Sequence, residues 1–200
     1  NYPEGYAEMV EAENHPQHPQ MGVRELPFSR EIYIERGDFA EIPPPKFHRL
    51  KPGGEVRLRN AYIIRCDEVI RGKAGEIVEL RCSYDPDSKS GGATAGRKVK
   101  GTLHWVEAAS CVQGEVRVYD TLMLDEEQAE ASPENLMDRL NPDSLTIYAD
   151  ARLEPSLANA EPGSAYQFMR QGYFAADPST TPGKPVFNRT VSLKDSYKAH

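Results

Sequence analysis

Two arginines on one predicted strand are the residues of this chain whose type and spacing most clearly suggest chemistry. Arg57 and Arg59 alternate with Val56 and Leu58 over residues 55–60, which predicts that the arginines share the face opposite the apolar pair. Side chains two residues apart on a strand are separated by roughly 6.5–7 Å, close to the spacing of successive phosphates in an extended RNA strand. Guanidinium groups bind phosphate oxygens and guanine edges. The alternative is an ordinary solvated face, because exposed arginines are common.

The charge of the chain is unevenly distributed along its 200 residues. The net charge of −7 argues at first against a nucleic-acid partner. However, residues 1–105 carry 16 basic and 16 acidic side chains, whereas residues 106–200 carry 8 and 15. Residues 46–73 alone hold eight basic and three acidic side chains. Because screening limits each charge to about 8–10 Å, this local basic segment says more about a partner than the mean charge does.

No motif in the sequence predicts catalysis or a metal site. His15 and His18 are flanked by prolines and have no carboxylate or cysteine at ligand spacing, so a structural loop is expected there. Residues 91–98 superficially resemble a phosphate-binding loop, but no Ser or Thr follows the lysine and the next segment has a strand pattern. We therefore expect a flexible hairpin loop at 91–98. No Ser/His/Asp or Cys/His arrangement is present, so we predict that the chain has no catalytic residues and no metal-binding residues.

Period-2 alternation of apolar and polar residues is frequent and predicts a mostly β chain, with turns typical of a barrel or sandwich. One short helix is predicted after Ser132, with Pro133 in its first turn and Asn141-Pro142 as its end. The alternating pairs are Ile32 and Ile34, Val56 and Leu58, Val78 and Leu80, Val99 to Trp105, Val116 and Val118, Leu145 and Ile147, and Val191 and Leu193.

Length and cysteine content narrow the class further. Two hundred residues make one large or two small domains, and a break is expected near 105–114. The sequence has no apolar run of the roughly 18 residues that a membrane helix requires. Its three cysteines form no Cys-x-x-Cys pair, so neither a zinc knuckle nor a dithiol redox site is predicted. They are too few and too far apart for a disulfide framework, which favours a reducing, cytosolic setting. The first residue is not Met, and we expect the chain to be a piece of a longer protein.

Five segments taken together resemble the C-terminal anticodon-binding region of glutaminyl-tRNA synthetases, in order and over essentially the whole chain. They are residues 1–5, 56–62, 96–106, 166–174 and 185–191. In that family the region forms two consecutive antiparallel β-barrels of the ribosomal-protein-L25-like type. The resemblance implies a distal barrel over residues 1–106 and a proximal barrel over residues 107–200, whose first strand lies upstream of this chain.

The resemblance also implies a function. Members of the family ligate glutamine to its tRNA with ATP and Mg, and both barrels contact the anticodon. The family's His-x-Gly-His and Lys-Met-Ser-Lys-Ser catalytic motifs are absent from these residues. We therefore expect an anticodon-recognition module that has no catalytic residue or cofactor of its own. Its expected partners are the tRNA for glutamine and a catalytic domain in cis, and neither a membrane nor DNA is expected to bind. The protein is expected to be a cytoplasmic monomer.

Eight residues match anticodon-contacting positions of the family. Arg49 corresponds to an arginine at the third anticodon base, and Gln167 to a glutamine that recognises the central uracil with Arg170 nearby. Amide and guanidinium groups suit the edges of unstacked bases. Gln167 and Arg170 are three residues apart, so both can face RNA only if the strand bends there. The remaining matches are Arg57 and Arg59, clustered at the first base, and Lys46, His48 and Gln17, which depart from the usual family residues.

Two other assignments remain open at this point. Glutamyl-tRNA synthetases of the eukaryotic and archaeal kind share the barrel pair, and their tRNAs differ in the third anticodon base, so the residues around His48 and Arg49 would discriminate. A non-catalytic β-barrel that binds ribosomal RNA or a protein partner through the same basic face is the third possibility.

Overall fold

The computed structural model describes residues 1–124 and 136–193, and the chain divides into two compact units, Asn1–Cys111 and Val112–His200. The described residues contain thirteen strands and five short 3₁₀ segments and no α-helix, which confirms the prediction of a mostly β chain. None of the helical segments in this part of the chain is long and apolar enough to span a membrane. Closure of either unit into a barrel stays a prediction.

The first unit contains eight strands in three sheets. One sheet pairs β1 with β2, a second pairs β3 with β8, and the third has the order β6-β5-β4-β7. The pairing is antiparallel except between β4 and β7, which are parallel. The strands are β1 (Glu8–Glu13), β2 (Val23–Phe28), β3 (Ile32–Ile34), β4 (Glu55–Leu58), β5 (Ile63–Arg71), β6 (Ile77–Asp85), β7 (Thr102–Leu103) and β8 (Trp105–Glu107).

The core of the first unit follows from the alternation on its central strands. Val56 and Leu58 of β4 are fully buried, as their spacing predicted. Phe28 packs edge-on against Trp105, with ring centroids 4.9 Å apart, an arrangement that aromatic rings favour. The indole Nε1 of Trp105 donates to the carbonyl oxygen of Arg59 at 2.9 Å, so the end of β4 is tied to β8.

The predicted strand from Val99 to Trp105 is wrong as a continuous element. The structure divides it into β7 and β8, which pair with different sheets on either side of His104. Strand β7 lies parallel to β4, whereas β8 lies antiparallel to β3. The alternation still buries Leu103 and Trp105, because a chain that passes from one sheet to another at a corner keeps its apolar side chains inward.

The second unit contains one five-stranded sheet in the order β10-β9-β13-β12-β11. Its pairings are antiparallel except for β13 with β9, which are parallel. A separate apolar cluster around Phe174 and Phe187 packs on one face of this sheet. The strands are β9 (Val112–Tyr119), β10 (Leu145–Leu153), β11 (Ala165–Phe168), β12 (Gly172–Ala176) and β13 (Val186–Val191).

Two sequence predictions in the second unit have a different outcome. The predicted helix begins at residues outside the described part of the chain, and its described portion, Leu136–Arg139, is a single 3₁₀ turn. Leu145 and Ile147 alternate as predicted, but both are exposed, at 43% and 51%. They pair with Tyr119 and Arg117 and therefore lie with them on the sheet face opposite the core.

Candidate nucleic-acid interface

A basic groove in the first unit brings together three of the predicted anticodon residues. Lys46, His48 and Arg49 line a groove of about 580 Å³, within the range of ligand-binding sites. Lys51, which belongs to the basic segment 46–73, and Lys100 line it as well, although neither is among the predicted site residues. The remaining lining residues are Pro43, Pro44, Pro45, Phe47, Gly54, Glu55 and Val99.

Backbone contacts fix the segment that carries these side chains. Leu50 is buried; its amide donates to the carbonyl oxygen of Asp38 at 2.9 Å, and its carbonyl oxygen accepts from the amide of Ala40 at 3.1 Å. On the other side, the carbonyl oxygen of His48 lies so close to Gly101 that a Cβ atom at that position would overlap with it. Glycine at 101 therefore permits the close approach of the two backbones that border the groove.

Arg49 is oriented by one hydrogen bond and one ion pair. Its Nη1 donates to the carbonyl oxygen of Gly37 at 2.8 Å, and its Nε lies 3.3 Å from Oδ1 of Asp38. Asp38 is fully buried, whereas 46% of the Arg49 side chain is exposed. A buried carboxylate that faces one edge of a guanidinium holds it in a defined direction, and the exposed part of the group is available to a ligand.

Three non-glycine residues have a positive φ among the described residues: Lys46 at +63°, Asn60 at +59° and Arg170 at +64°. Each is the third residue of a four-residue turn closed by a backbone hydrogen bond. Residues other than glycine adopt this left-handed backbone conformation at a cost of about 1–2 kcal/mol, and residues in this conformation cluster at functional sites. Two of the three, Lys46 and Arg170, are predicted anticodon residues, and the third directly follows Arg59.

Arg57 is half-buried and bonded to its own protein, which the sequence did not predict. Its guanidinium donates to three backbone carbonyl oxygens, those of Ser88 at 2.7 Å, Ala95 at 3.0 Å and Arg97 at 3.1 Å. These carbonyls belong to the segment that joins β6 to β7. Arg57 therefore holds this loop against β4, and a direct contact with a base stays a prediction.

The prediction of a flexible hairpin loop at 91–98 is wrong. Strands β6 and β7 are not neighbours in the sheet, and the loop between them is held by side chains as well as by Arg57. Ser88 is buried, and its Oγ accepts from the amide of Ile63 at 2.8 Å. Thr94 Oγ1 donates to Asp85 Oδ2 at 2.8 Å, and this bond, with the nearby Arg97, lowers the pKa of Asp85.

Arg59 lies beyond the end of β4, so the expectation that both arginines share one strand face is wrong. Strand β4 ends at Leu58, and the chain turns there, with the amide of Ala61 donating to the carbonyl oxygen of Leu58 at 3.0 Å. The amide of Arg59 donates to the carbonyl oxygen of Leu103 at 2.9 Å, and its side chain is exposed. Arg59, unlike Arg57, presents its guanidinium to solvent.

In the second unit, Gln167 and Arg170 lie on β11 and on the turn that follows it. Gln167 is exposed and pairs with Tyr173 of β12, which is 46% exposed. Strand β11 ends at Phe168, and Arg170 is in the turn closed by the bond from the Gln171 amide to the carbonyl oxygen of Phe168 at 2.9 Å. The bend that the spacing of Gln167 and Arg170 required is therefore present.

A polar network covers the middle of the same sheet face. Asp177 accepts hydrogen bonds from the hydroxyl and amide of Ser179 and from Nδ2 of Asn188, and it faces Arg117. These partners, Ser179 first, lower the pKa of Asp177 to about 2. Asn188 pairs with Ala175 of β12, two residues from Tyr173. The network fixes the sheet that presents Gln167.

Gln17 lies apart from the groove, in the exposed loop between β1 and β2. Its backbone N–H donates to Nδ1 of His15 at 3.1 Å, and the rings of His15 and His18 are in contact at 4.4 Å between centroids. This is the structural loop that the flanking prolines predicted. Across residues 1–124 and 136–193 there is no group of three or more metal-ligating side chains. The three cysteines are free thiols.

A mostly β chain with a basic groove, an exposed amide on a strand and exposed guanidinium groups at turns has the features of a nucleic-acid-binding domain. The chain belongs to the anticodon-binding domain family of class I tRNA synthetases (E and Q), since two models of that family match residues 1–85 and 102–177.

Curated relatives from different bacteria match nearly the whole chain, and each is a glutamine–tRNA ligase. The protein of Ectopseudomonas mendocina is 56% identical over 204 residues, covering 98% of this chain and 36% of its own length. That of Bradyrhizobium diazoefficiens is 51% identical, covering 98% and 35%. That of Clostridium perfringens is 50% identical, covering 99% and 36%. The chain thus spans about a third of the length of these relatives.

Proposed function

We propose that this chain is the anticodon-recognition part of a glutamine–tRNA ligase, an enzyme that joins glutamine to its tRNA at the expense of ATP. The observation that carries the proposal is the identity of 50–56% with glutamine–tRNA ligases over nearly the whole chain. The chain supplies recognition only. ATP, with Mg, is bound and used by a catalytic domain in cis.

The proposed partner is the anticodon loop of the tRNA for glutamine. The protein is proposed to be a cytoplasmic monomer that binds neither DNA nor a membrane. Arg49, with Lys46 and His48 in the same groove, contacts the third anticodon base. Gln167 recognises the central uracil and Arg170 lies beside it. Arg59 acts at the first base together with Arg57, and Gln17 makes an outlying contact. The distal barrel is residues 1–106 and the proximal barrel is residues 107–200; the division of the chain after Cys111 supports a two-part organisation.

A glutamyl-tRNA synthetase is the second candidate, because the matching family covers both the E and Q enzymes. The names of the relatives favour glutamine. The test is aminoacylation by the full-length protein that contains this chain, with glutamine and glutamate offered separately to their two tRNAs. We expect charging with glutamine alone. Charging with glutamate would assign the protein to the second candidate, and charging with neither would overturn the proposal.

A further inference from the structure

Two lysines of the basic groove are not among the residues matched to anticodon contacts. Lys51 and Lys100 both line the groove and are exposed. Neither forms an ion pair or hydrogen bond through its side chain with any residue in the ranges 1–124 and 136–193. Their ammonium groups are therefore available to a ligand without the loss of an existing contact.

The charge balance of the groove favours an anion. Glu55 is the one carboxylate among the lining residues, all of which the structure describes, and its Oε2 accepts from Nη1 of Arg97 at 2.7 Å. Arg49 is itself paired with the buried Asp38. The lysines thus supply positive charge that neighbouring carboxylates do not neutralise, and a phosphate group can neutralise it.

The other lining surface is apolar. Three consecutive prolines, 43–45, and the half-buried Phe47 and Val99 lie beside the cationic groups. Apolar and aromatic surfaces accommodate the ribose and the face of an unstacked base, whereas ammonium groups bind the backbone. A groove that offers both kinds of surface fits a nucleotide of a single-stranded RNA segment better than a free inorganic anion.

Both lysines are attached to backbone that is already fixed. The carbonyl oxygen of Lys51 accepts from the amide of Gly54 at 2.9 Å in a tight turn just before β4. The residue after Lys100, Gly101, accepts from the amide of Arg57 at 2.8 Å and lies against the carbonyl of His48. The two lysines therefore extend from ordered positions on the groove, which lowers the entropic cost of binding.

We propose that Lys51 and Lys100 bind a backbone phosphate of the RNA strand that lies in this groove, and so contribute affinity that does not depend on the base sequence. This inference rests on the proposed function and adds to it two positioning contacts beside the base-contacting Arg49. Phosphate contacts fix the register of the strand, and base-edge contacts provide the selectivity.

The experiment compares Lys51→Gln and Lys100→Gln in the full-length protein with the matched control Lys98→Gln. Lys98 is an exposed lysine two residues before Lys100 and does not line the groove. The probes are an RNA stem–loop with a glutamine anticodon and the same stem–loop with its central base changed, each titrated at several salt concentrations. Melting temperatures of all variants verify that the fold is unchanged.

We expect each groove variant to weaken both loops by the same factor, about 3–10-fold at low salt, and to reduce the salt slope of log K by about 0.7. Lys98→Gln is expected to leave both quantities unchanged. An unchanged slope in Lys51→Gln and Lys100→Gln, or an equal loss in Lys98→Gln, would overturn the inference. The inference would also be overturned if the binding of a polyglutamate peptide depended on these lysines while the binding of RNA did not. A wild-type protein that binds neither loop would instead contradict the proposed function.

Discussion

Nη1 of Arg57 donates a 2.7 Å hydrogen bond to the carbonyl oxygen of Ser88, a residue 31 positions along the chain whose side chain is buried. The same guanidinium holds the carbonyls of Ala95 and Arg97. Arg57 therefore organises a loop of the first unit, whereas Arg59, two residues later, is exposed at a turn. The two arginines that the sequence presented as equivalent have different surroundings and are expected to respond differently to substitution.

Arg57→Ala is expected to lower the free energy of unfolding by about 2 kcal/mol, because three carbonyl groups lose a charged donor. It should also weaken binding of all anticodon loops and flatten the salt dependence. Arg59→Ala is expected to weaken RNA binding without a loss of stability. Denaturant unfolding and hydrogen exchange of residues 86–98 measure the structural effect.

Arg57→Lys separates the two roles of this side chain. Lysine keeps the charge but cannot reproduce the planar fork that donates to several carbonyls. We expect the backbone amides of residues 86–98 to exchange hydrogen as fast in Arg57→Lys as in Arg57→Ala. Full protection of the loop in the lysine variant would show that charge alone, and not the fork, holds it.

Gln167→Ala is expected to reduce discrimination at the central anticodon base with little loss of stability, because the side chain is exposed on β11. The measurement is the ratio of affinities for stem–loops with uracil and with cytosine at that base. Gln171→Ala, at the end of the adjacent turn, is the control. A uniform loss of affinity for both loops in Gln167→Ala would show that this residue does not recognise the base.

Lys46→Gly is expected to weaken RNA binding while the free energy of unfolding stays the same or rises by up to about 1 kcal/mol. Glycine relieves the left-handed backbone at φ +63°, although its own backbone entropy offsets part of the gain. Lys46→Ala should weaken binding equally without this relief. If Lys46→Gly bound RNA as tightly as the unsubstituted protein, Lys46 would be a turn residue only.

Glu107 is expected to make the first unit sensitive to acid. Burial of this carboxylate opposes its ionisation, but hydrogen bonds from Ser110, Ser29 and backbone amides outweigh burial and lower its pKa. Because the pKa of Glu107 is lower in the folded state, ionised Glu107 stabilises the fold at pH values above the unfolded-state pKa of about 4.3. This stability is lost as the pH falls from that pKa through the lower folded-state pKa.

The test of Glu107 is denaturant unfolding between pH 7 and pH 3, followed through the fluorescence of Trp105. Glu107→Gln should lower stability at pH 7 by about 1–3 kcal/mol and give a flatter pH dependence. Glu31→Gln, an exposed neighbour, should do neither. An identical pH profile in the Glu107→Gln and unsubstituted proteins would refute the role.

Burial in the central strands of the first unit could be predicted from the sequence because alternation there shows which side chains face the core, whereas the alternating Leu145 and Ile147 of the second unit are exposed. Val56, Leu58, Leu103 and Trp105 are buried as their spacing indicates. Alternation does not, however, reveal which strand is the partner. The division at His104 depends on long-range pairing of β7 with β4 and β8 with β3, and the single stretch of alternating residues gives no sign of it.

The site was predictable in composition more than in geometry. The basic segment and the matched residues could be identified in the sequence. The hydrogen bond from Arg57 to the carbonyl oxygen of Ser88 could not, because it joins residues far apart in the chain. Lys100 lies on the groove because Gly101 packs against His48, a contact between segments about fifty residues apart. Contacts of this kind depend on tertiary packing, and local spacing does not encode them.

The central claim, recognition of a glutamine anticodon, is tested most directly by the affinity of the full-length protein for two RNA stem–loops that differ only in the central anticodon base. We expect the loop with central uracil to bind about tenfold more tightly or better, the discrimination typical of a bidentate base contact. Equal affinity for the two loops would contradict it.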